Sequence, residues 1–255
     1  MREPDPRAAL SPAEAAAADS GVKAMVPIHG RPFLDYVLFA LAEAGAWDVC
    51  IVVAPGHRSI LESSVNLLRL SIRVAFAVQP EASGTADAVL AAEAFVAGQD
   101  FLVLNSDNYY PVSALRALRD LDGPGLPVFE RESLVRQSNI PRDRVSRYAV
   151  LRVGADGILE EIVEKPDAAA MESLDSPLLV SMNLWRFSAT IFEACRRVGV
   201  SARGERELPH AVQLAISELH ERFRTVPCGE GVLDLSTRSD VGPVAQRLRG
   251  IAGMP

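Results

Sequence analysis

The chain has 255 residues, of which 49% are apolar, and a formal net charge of -7 at pH 7. This length suits one large domain or two small ones, and a mean hydropathy of +0.13 excludes wholesale disorder. The acidic balance argues against a surface built for nucleic acid or for an anionic membrane. Small phosphorylated ligands are not excluded, because they need only one local basic group.

Cysteines, histidines and apolar runs exclude further classes. The three cysteines form no C-x-x-C pair and the four histidines show no H-E-x-x-H spacing, which argues against a disulfide framework and a histidine-based metal site. No apolar run approaches the ~20 residues of a membrane-spanning helix. The Ala-rich start carries four acidic residues within positions 1–20, unlike a secretory signal. We therefore expect a cytoplasmic protein.

In the first half of the chain, short apolar runs alternate with amphipathic ones. Apolar residues that repeat on one face predict helices over 33–44, 84–96 and 112–121. Continuous runs rich in β-branched residues predict buried strands over 48–54, 72–78 and 101–105. This alternation indicates βαβ units around a mostly parallel sheet.

The pattern changes after Pro127. Residues 146–153 and 158–163, joined by a Gly-Ala-Asp-Gly turn, predict a hairpin, and residues 178–187 predict another strand. Helices are predicted to start at Ala189 and Leu208. With no internal repeat and no clear linker, we expect a single three-layer α/β domain. Its mostly parallel central sheet would be flanked by helices and become mixed in the second half, with an Ala-rich segment over 1–22 and the domain itself over 23–255.

Polar residues at strand exits are candidate site residues, because ligands bind at the carboxyl ends of strands in open parallel sheets. The strand at 101–105 runs directly into Asp107, where a carboxylate suits a divalent cation that bridges phosphates. The alternative is that Asp107 and Asn108 start a turn and cap the next helix. Asp234 also follows a short apolar stretch, and a helix cap is again the alternative.

A second strand exit combines a glutamine with a glycine turn. Gln79 follows the strand at 72–78, and its amide offers the donor and the acceptor that are needed to read a base edge. Gly84 lies between Ser83 and Thr85 at a helix start, where the backbone can approach a ligand closely. A Ser or Thr cap with a glycine turn is the alternative here.

Two further motifs contain lysine. Lys23 precedes a short apolar segment, and Glu164 and Lys165 end a predicted strand before a proline. A lone lysine suits a solvated surface, and an exposed ion pair at a sheet edge contributes little stability. Each of these motifs is a weak signal alone.

Their order is more informative. The chain resembles the sugar-1-phosphate nucleotidyltransferases, bacterial enzymes that make activated sugars, through K-A-M-V-P-I-x-G-R-P, Q-P-x-x-x-G-T-A-D-A, L-N-S-D-N, E-K-P, a strand with Asn183, E-x-E-L-P and L-D-L-S-T. The resemblance runs from Lys23 to the helix after Thr237. It implies the nucleotide-diphospho-sugar transferase fold and transfer of a nucleotidyl group from an NTP to a sugar 1-phosphate, which yields an NDP-sugar and pyrophosphate.

The resemblance also implies a role for each matching position. Lys23 would contact the phosphates, and Asp107 and Asp234 would bind Mg²⁺. The residues that would bind the nucleotide are Gln79, Gly84 and Thr85. Those that would bind the sugar phosphate are Tyr148, Glu164, Lys165 and Asn183. Catalysis is then mostly positioning and charge neutralisation, because the attacking phosphate is already ionised and pyrophosphate leaves as an anion.

The sequence departs from the family pattern at two places. The family opens with a strand and a glycine-rich loop, A-A-G-x-G-T-R, whose backbone N–H groups cradle the triphosphate, whereas this sequence starts at the position after that loop. We expect the natural protein to carry this strand before Met1, because its loss would leave ladder groups unpaired inside the sheet. Leu235 and Ser236 stand where the family usually has a small residue and a glycine.

Two other functions stay open. The start of the sequence is compatible with a non-catalytic module that binds nucleotides or sugar phosphates. A glycosyltransferase of related fold would use a D-x-D motif, and Ser106-Asp107-Asn108 argues against it. The expected partners are an NTP and a sugar 1-phosphate, with no nucleic acid and no membrane. Base, sugar and oligomeric state, homo-oligomers included, stay open.

Overall fold

The computed structural model describes residues 10–58, 71–145, 148–163 and 177–249. Its helices are α1 (Pro12–Ser20), α2 (Phe33–Glu43), α3 (Thr85–Ala91), α4 (Glu93–Val96), α5 (Val112–Arg119), α6 (Arg131–Gln137), α7 (Arg142–Val145), α8 (Thr190–Arg197), α9 (Leu208–Ser217) and α10 (Val241–Leu248). Short 3₁₀ helices lie at Lys23–Met25 and Arg238–Asp240. No helix among these residues is long and apolar enough to cross a bilayer.

The strands are β1 (Pro27–Ile28), β2 (Arg31–Pro32), β3 (Asp48–Val53), β4 (Arg73–Val78), β5 (Phe101–Val103), β6 (Asn108–Tyr109), β7 (Gly125–Glu130), β8 (Val150–Val153), β9 (Leu159–Val163), β10 (Leu179–Val180), β11 (Trp185–Phe187), β12 (Arg224–Cys228) and β13 (Leu233–Asp234). The largest sheet has the order β5-β11-β7-β10-β8-β9, and β12 pairs with β7. In the described part of the chain, β3–β4 and β7–β12 are the parallel pairs, and the other pairs are antiparallel.

The α/β fold class and the mixed sheet are confirmed, with fewer parallel pairs than the apolar strands predict. The predicted hairpin is present as β8 and β9. The strand predicted over 178–187 is instead two strands, because Asn183 has a φ of 54° and interrupts the extended backbone. The helix predicted over 84–96 is likewise divided into α3 and α4 at Ala92.

Strands β7 and β12 lie in segments for which the pattern predicts no strand. Each contains a proline, Pro127 or Pro227, which has no N–H to donate to a ladder and is typical of turns. The two strands nevertheless pair in parallel over Gly125–Phe129, and β7 is fully buried up to its last residue. Burial between neighbouring elements therefore outweighs the local preference of proline.

Two apolar cores hold the layers together. The first packs α2, α5 and α10 with Tyr110 and the residues around β13. The second surrounds α8 and α9, where Trp185, Phe187 and Phe223 are fully buried and stack or meet edge to face. The polar residues described next lie along the border of the first core.

Candidate active site

Two carboxylates predicted at separate strand exits lie beside each other, Asp107 directly before β6 and Asp234 in its partner strand β13. Strand β13 pairs with β6 so that Asp234 is opposite Asn108, and the Leu235 N–H donates to the Asp107 carbonyl at 2.8 Å. Burial raises the pKa of Asp234, and the nearby negative charge of Asp107 adds to this rise. The fold therefore brings Asp107 and Asp234 to one place.

Lys23 contacts the first of these carboxylates. Its Nζ lies 2.9 Å from Asp107 Oδ2, and the two side chains are 36% and 23% exposed. The cap proposed as the alternative role of Asp107 is wrong, because helix α5 begins after Pro111 with no side-chain cap. The Asp107 side chain is directed to Lys23 instead.

Asp234 is buried and receives several hydrogen bonds. The Tyr148 hydroxyl donates to Oδ2 at 2.9 Å and the Ser236 hydroxyl to Oδ1 at 2.5 Å. Burial is the main cause of the raised Asp234 pKa, and the two hydrogen bonds act against it. Burial, followed by the charge of Asp234, also raises the pKa of Tyr148, so Tyr148 is a hydrogen-bond donor here.

Arg144 is a site residue that sequence reasoning missed. Its guanidinium lies 3.3 Å from Asp234 Oδ2 and 2.9 Å from Asp240 Oδ2, and all three side chains are largely buried. Asp240 in turn accepts hydrogen bonds from the N–H and the hydroxyl of Thr237. The helix-cap role considered for Asp234 thus belongs to Thr237 and Asp240, which form a capping box.

Asn139 holds the backbone of Asp234. Its side-chain Nδ2 donates to the Asp234 carbonyl at 2.8 Å, and its Oδ1 accepts from the Asp234 N–H at 2.8 Å. The amide side chain therefore makes the pair of bonds that a neighbouring strand would make. The sequence offers little signal for this role, because Asn139 is 95 positions away from Asp234.

Tyr110 connects the turn that contains Asn183 to this cluster. The Tyr110 hydroxyl donates to the Met182 carbonyl at 2.6 Å, in the turn that contains Asn183. Burial raises the pKa of Tyr110 well above its usual value, and the charges of Asp107 and Asp234 raise it further. Glu164 and Lys165, the other candidates for the sugar phosphate, lie outside the described residues.

The candidates for nucleotide binding are divided between two cavities. Gln79 Nε2 donates to the Gly84 carbonyl at 2.9 Å, and Gln79 lines an open cavity of about 740 Å³. Thr85 lines a different cavity, of about 940 Å³, together with Lys23 and Asp107, and its hydroxyl accepts from the Leu208 N–H. The fold thus joins Lys23, Asp107 and Thr85 around one cavity and leaves Gln79 at another.

Close packing explains why position 84 is a glycine. Its φ is +116°, and a Cβ at this position would lie 2.3 Å from the Arg206 carbonyl oxygen. The backbone of Arg206 also donates to Ser83 and accepts from Ala86, so it runs directly against the turn. Glycine is required here by this close approach.

The carboxylates of the site could hold a divalent cation. Within the described ranges, no group of three or more His, Cys, Asp or Glu side chains is arranged around a common metal position. Mg²⁺, however, is commonly held by one or two carboxylates and takes its other ligands from phosphates and water. The adjacent carboxylates of Asp107 and Asp234 fit such an ion, which would relieve their mutual repulsion.

Comparison with known proteins decides the family. Residues 18–245 match the family described as nucleotidyl transferase. The chain belongs to the nucleotidyl transferase family. The family resemblance identified from the sequence motifs is thereby confirmed, and the chain belongs to a family of enzymes.

Individual relatives agree with this placement. The chain is 28% identical over 198 residues to the UTP–glucose-1-phosphate uridylyltransferase AglF of Haloferax volcanii, covering 76% of this chain and 74% of that protein. It is 26% identical over 210 residues to the glucose-1-phosphate thymidylyltransferase of Streptomyces griseus, covering 82% of this chain and 56% of that protein. A crystal structure of UDP-glucose pyrophosphorylase complexed with UDP-glucose superposes with a TM-score of 0.69 at 20% identity, over 88% of this chain and 89% of that one. This likeness shows that the two share a fold.

Proposed function

We propose that this chain transfers a nucleotidyl group from an NTP to a sugar 1-phosphate and releases pyrophosphate. The observation that carries the proposal is that Asp107 lies beside Asp234 at the β6–β13 pair and contacts Lys23, in a chain of the nucleotidyl transferase family. Relatives named as uridylyl- and thymidylyltransferases for glucose 1-phosphate support the same reaction class. The substrates and the product pyrophosphate are all polyanions, so the site must supply positive charge.

Asp107 and Asp234 are the residues that would hold Mg²⁺. When bound, the ion neutralises phosphate charge and orients the triphosphate. Tyr148, Ser236 and Arg144 fix the orientation of the Asp234 carboxylate, and Asn139 fixes its backbone. These partners keep a buried carboxylate in place before substrate arrives, which limits reorganisation during the reaction.

Lys23 is proposed to stabilise the phosphates during transfer. A sugar-phosphate oxygen forms a bond to the α-phosphorus of the NTP while the bond from that phosphorus to the pyrophosphate oxygen breaks. No proton must be moved, since the attacking phosphate is ionised and the leaving group departs as an anion. Lys23 moves its ammonium from Asp107 toward the phosphates, and this exchange retains a charge-assisted contact.

The remaining substrate contacts are proposed from the places that the residues hold in the family pattern. Gln79, Gly84 and Thr85 are assigned to the nucleotide, and Tyr148, Glu164, Lys165 and Asn183 to the sugar phosphate. We also propose a cytoplasmic location, where NTPs are abundant and the cysteines Cys50, Cys195 and Cys228 stay reduced.

Because the chain has few lysines, the role of Lys23 can be tested by chemical modification. The chain contains 24 arginines but lysine only at positions 23 and 165. Reductive methylation followed by mass spectrometry can therefore follow each lysine separately. We expect an NTP with Mg²⁺ to slow modification of Lys23 at least tenfold, because the phosphates would contact its ammonium.

A matched variant separates charge from geometry. Lys23→Arg keeps the positive charge but replaces a compact ammonium by a planar guanidinium. We expect it to lose about 100-fold in kcat/KM for pyrophosphate release, close to the loss in Lys23→Met. Modification of Lys23 at an unchanged rate with NTP, together with full activity of Lys23→Met, would contradict the proposed role.

A further inference from the structure

Each of the two candidate metal carboxylates has a cationic side chain beside it. Asp107 Oδ2 lies 2.9 Å from Lys23 Nζ, and Asp234 Oδ2 lies 3.3 Å from Arg144 Nη1. The two cations differ in burial, because the Lys23 side chain is 36% exposed and that of Arg144 only 18%. Lys23 can turn outward to a substrate, whereas Arg144 can shift only between groups of the protein.

Arg144 is held more firmly by Asp240 than by Asp234. Its Nη1 lies 2.9 Å from Asp240 Oδ2 and its Nη2 lies 3.0 Å from Asp240 Oδ1, which is the parallel two-bond geometry of a strong arginine–carboxylate pair. Asp234 receives one longer contact, at 3.3 Å, from the same Nη1. Nη1 is therefore shared between two carboxylates, and a small tilt of the guanidinium transfers it to one of them.

Asp240 is itself fixed in place. It is buried, and its Oδ2 accepts hydrogen bonds from the N–H and the hydroxyl of Thr237, each at 2.7 Å. These bonds belong to the capping box of the 3₁₀ helix that precedes α10. Asp240 is thus a rigid anchor, and the position of Arg144 is set relative to it.

Asp234 has little capacity left for a metal ion on Oδ2. This oxygen accepts the Tyr148 hydroxyl at 2.9 Å as well as Arg144, and a carboxylate oxygen offers about two lone-pair positions. A cation that binds Oδ2 must displace one donor, and the longer contact is the weaker. A cation that binds Oδ1 is still repelled by the guanidinium, because charges interact strongly where water is partly excluded.

We propose that Arg144 competes with a divalent cation for Asp234, and that Asp240 is a positioning residue that holds the guanidinium away when the cation binds. Arg144 neutralises the buried Asp234 carboxylate before the cation arrives, and Asp240 keeps the guanidinium paired afterwards. The inference rests on the proposed metal-binding role of Asp107 and Asp234. It goes beyond that role, because it makes the affinity for the cation depend on two residues that would not bind it.

Binding of Mn²⁺ to the chain, followed by the electron paramagnetic resonance signal of the unbound ion, tests this competition without catalysis. Arg144→Gln removes the competing charge but keeps hydrogen-bonding groups, and we expect the Kd for Mn²⁺ to fall at least about fivefold. Asp240→Asn removes the anchor, so the guanidinium pairs with Asp234 and the Kd should rise at least about fivefold. Arg142→Gln removes the same charge from an exposed ion pair with Glu132, and this control should stay within about twofold of the unsubstituted chain.

The double variant separates anchoring from the direct effect of the Asp240 charge. In the Arg144→Gln background, Asp240→Asn should change the Kd by less than about twofold, because no guanidinium remains for position 240 to hold. An equal rise in both backgrounds would show that Asp240 acts through its own charge and would overturn the proposal. General damage to the fold weakens binding, so it cannot produce the tighter binding expected for Arg144→Gln.

A second substitution at position 144 tests the anchor if Arg144→Gln does not fold. Arg144→Lys keeps the charge but cannot make two parallel bonds to Asp240, and we expect Mn²⁺ to bind at least about threefold more weakly. Equal affinity in a folded Arg144→Lys variant would overturn the anchoring role. Unchanged or weaker binding in a folded Arg144→Gln variant would overturn the competition alone, whereas no Mn²⁺ binding by any form would also overturn the metal role of Asp107 and Asp234.

Discussion

Lys23 and Asp107 are 84 positions apart, yet their side chains meet at 2.9 Å. Their residue types and places at element ends were sufficient to select them from the sequence, as they were for Asp234. Arg144 and Asn139 could not be selected in this way, because nothing near them in the sequence marks them. Only the fold carries both to Asp234, over 90 and 95 positions respectively.

The carboxylate pair gives the first prediction at this scale. Asp107→Asn and Asp234→Asn each remove a negative charge that would hold Mg²⁺, and we expect at least about a 100-fold loss in kcat/KM. Asp122→Asn, at an exposed turn, is the control and should keep full activity. Wild-type rates in both site variants, measured by pyrophosphate release, would exclude them as metal ligands.

Arg144 gives a prediction about stability. Arg144→Ala leaves Asp240 buried without its main cation, and we expect the free energy of unfolding in urea to fall by about 3 kcal/mol. Arg142, two residues earlier, has an exposed ion pair with Glu132. Arg142→Ala should therefore change the free energy of unfolding by less than about 1 kcal/mol. Equal effects of the two substitutions would show that burial of the Arg144 network contributes no extra stability.

At the scale of elements, long apolar or amphipathic segments were predictable and their interruptions were not. Helix α2 and strands β3 and β4 lie within two residues of the predicted bounds, because their periodicity is local. The break between β10 and β11 depends on the left-handed backbone of Asn183, which no pattern of apolar residues reveals. Strands β7 and β12 form against the preference of their prolines, since burial in the sheet dominates.

The turn before α3 gives the prediction at this scale. Gly84→Ala would place a Cβ 2.3 Å from the Arg206 carbonyl at a φ of +116°, and we expect the free energy of unfolding to fall by about 3 kcal/mol. Gly98 also has a positive φ, +78°, but open space around it. Gly98→Ala is thus the matched control and should cost about 1 kcal/mol. A Gly84→Ala variant no less stable than Gly98→Ala would contradict the packing account.

For the whole molecule, the order of weak motifs predicted the family and the α/β fold, because one order of strands and site residues recurs across it. The sequence alone did not reveal that Gln79 lines a different cavity from Lys23, Asp107 and Thr85. This is a property of how helices and strands pack around one another, and no single segment encodes it.

The central claim is tested most directly by pyrophosphate release from a panel of NTPs and sugar 1-phosphates, measured with the 255-residue chain. We expect at least one pair to give release that requires both substrates and Mg²⁺, and that falls at least about 100-fold in Asp107→Asn. Release without the sugar phosphate would contradict nucleotidyl transfer. Calorimetric binding of an NTP by the chain with no release for any pair would instead identify a module that binds nucleotides without catalysis.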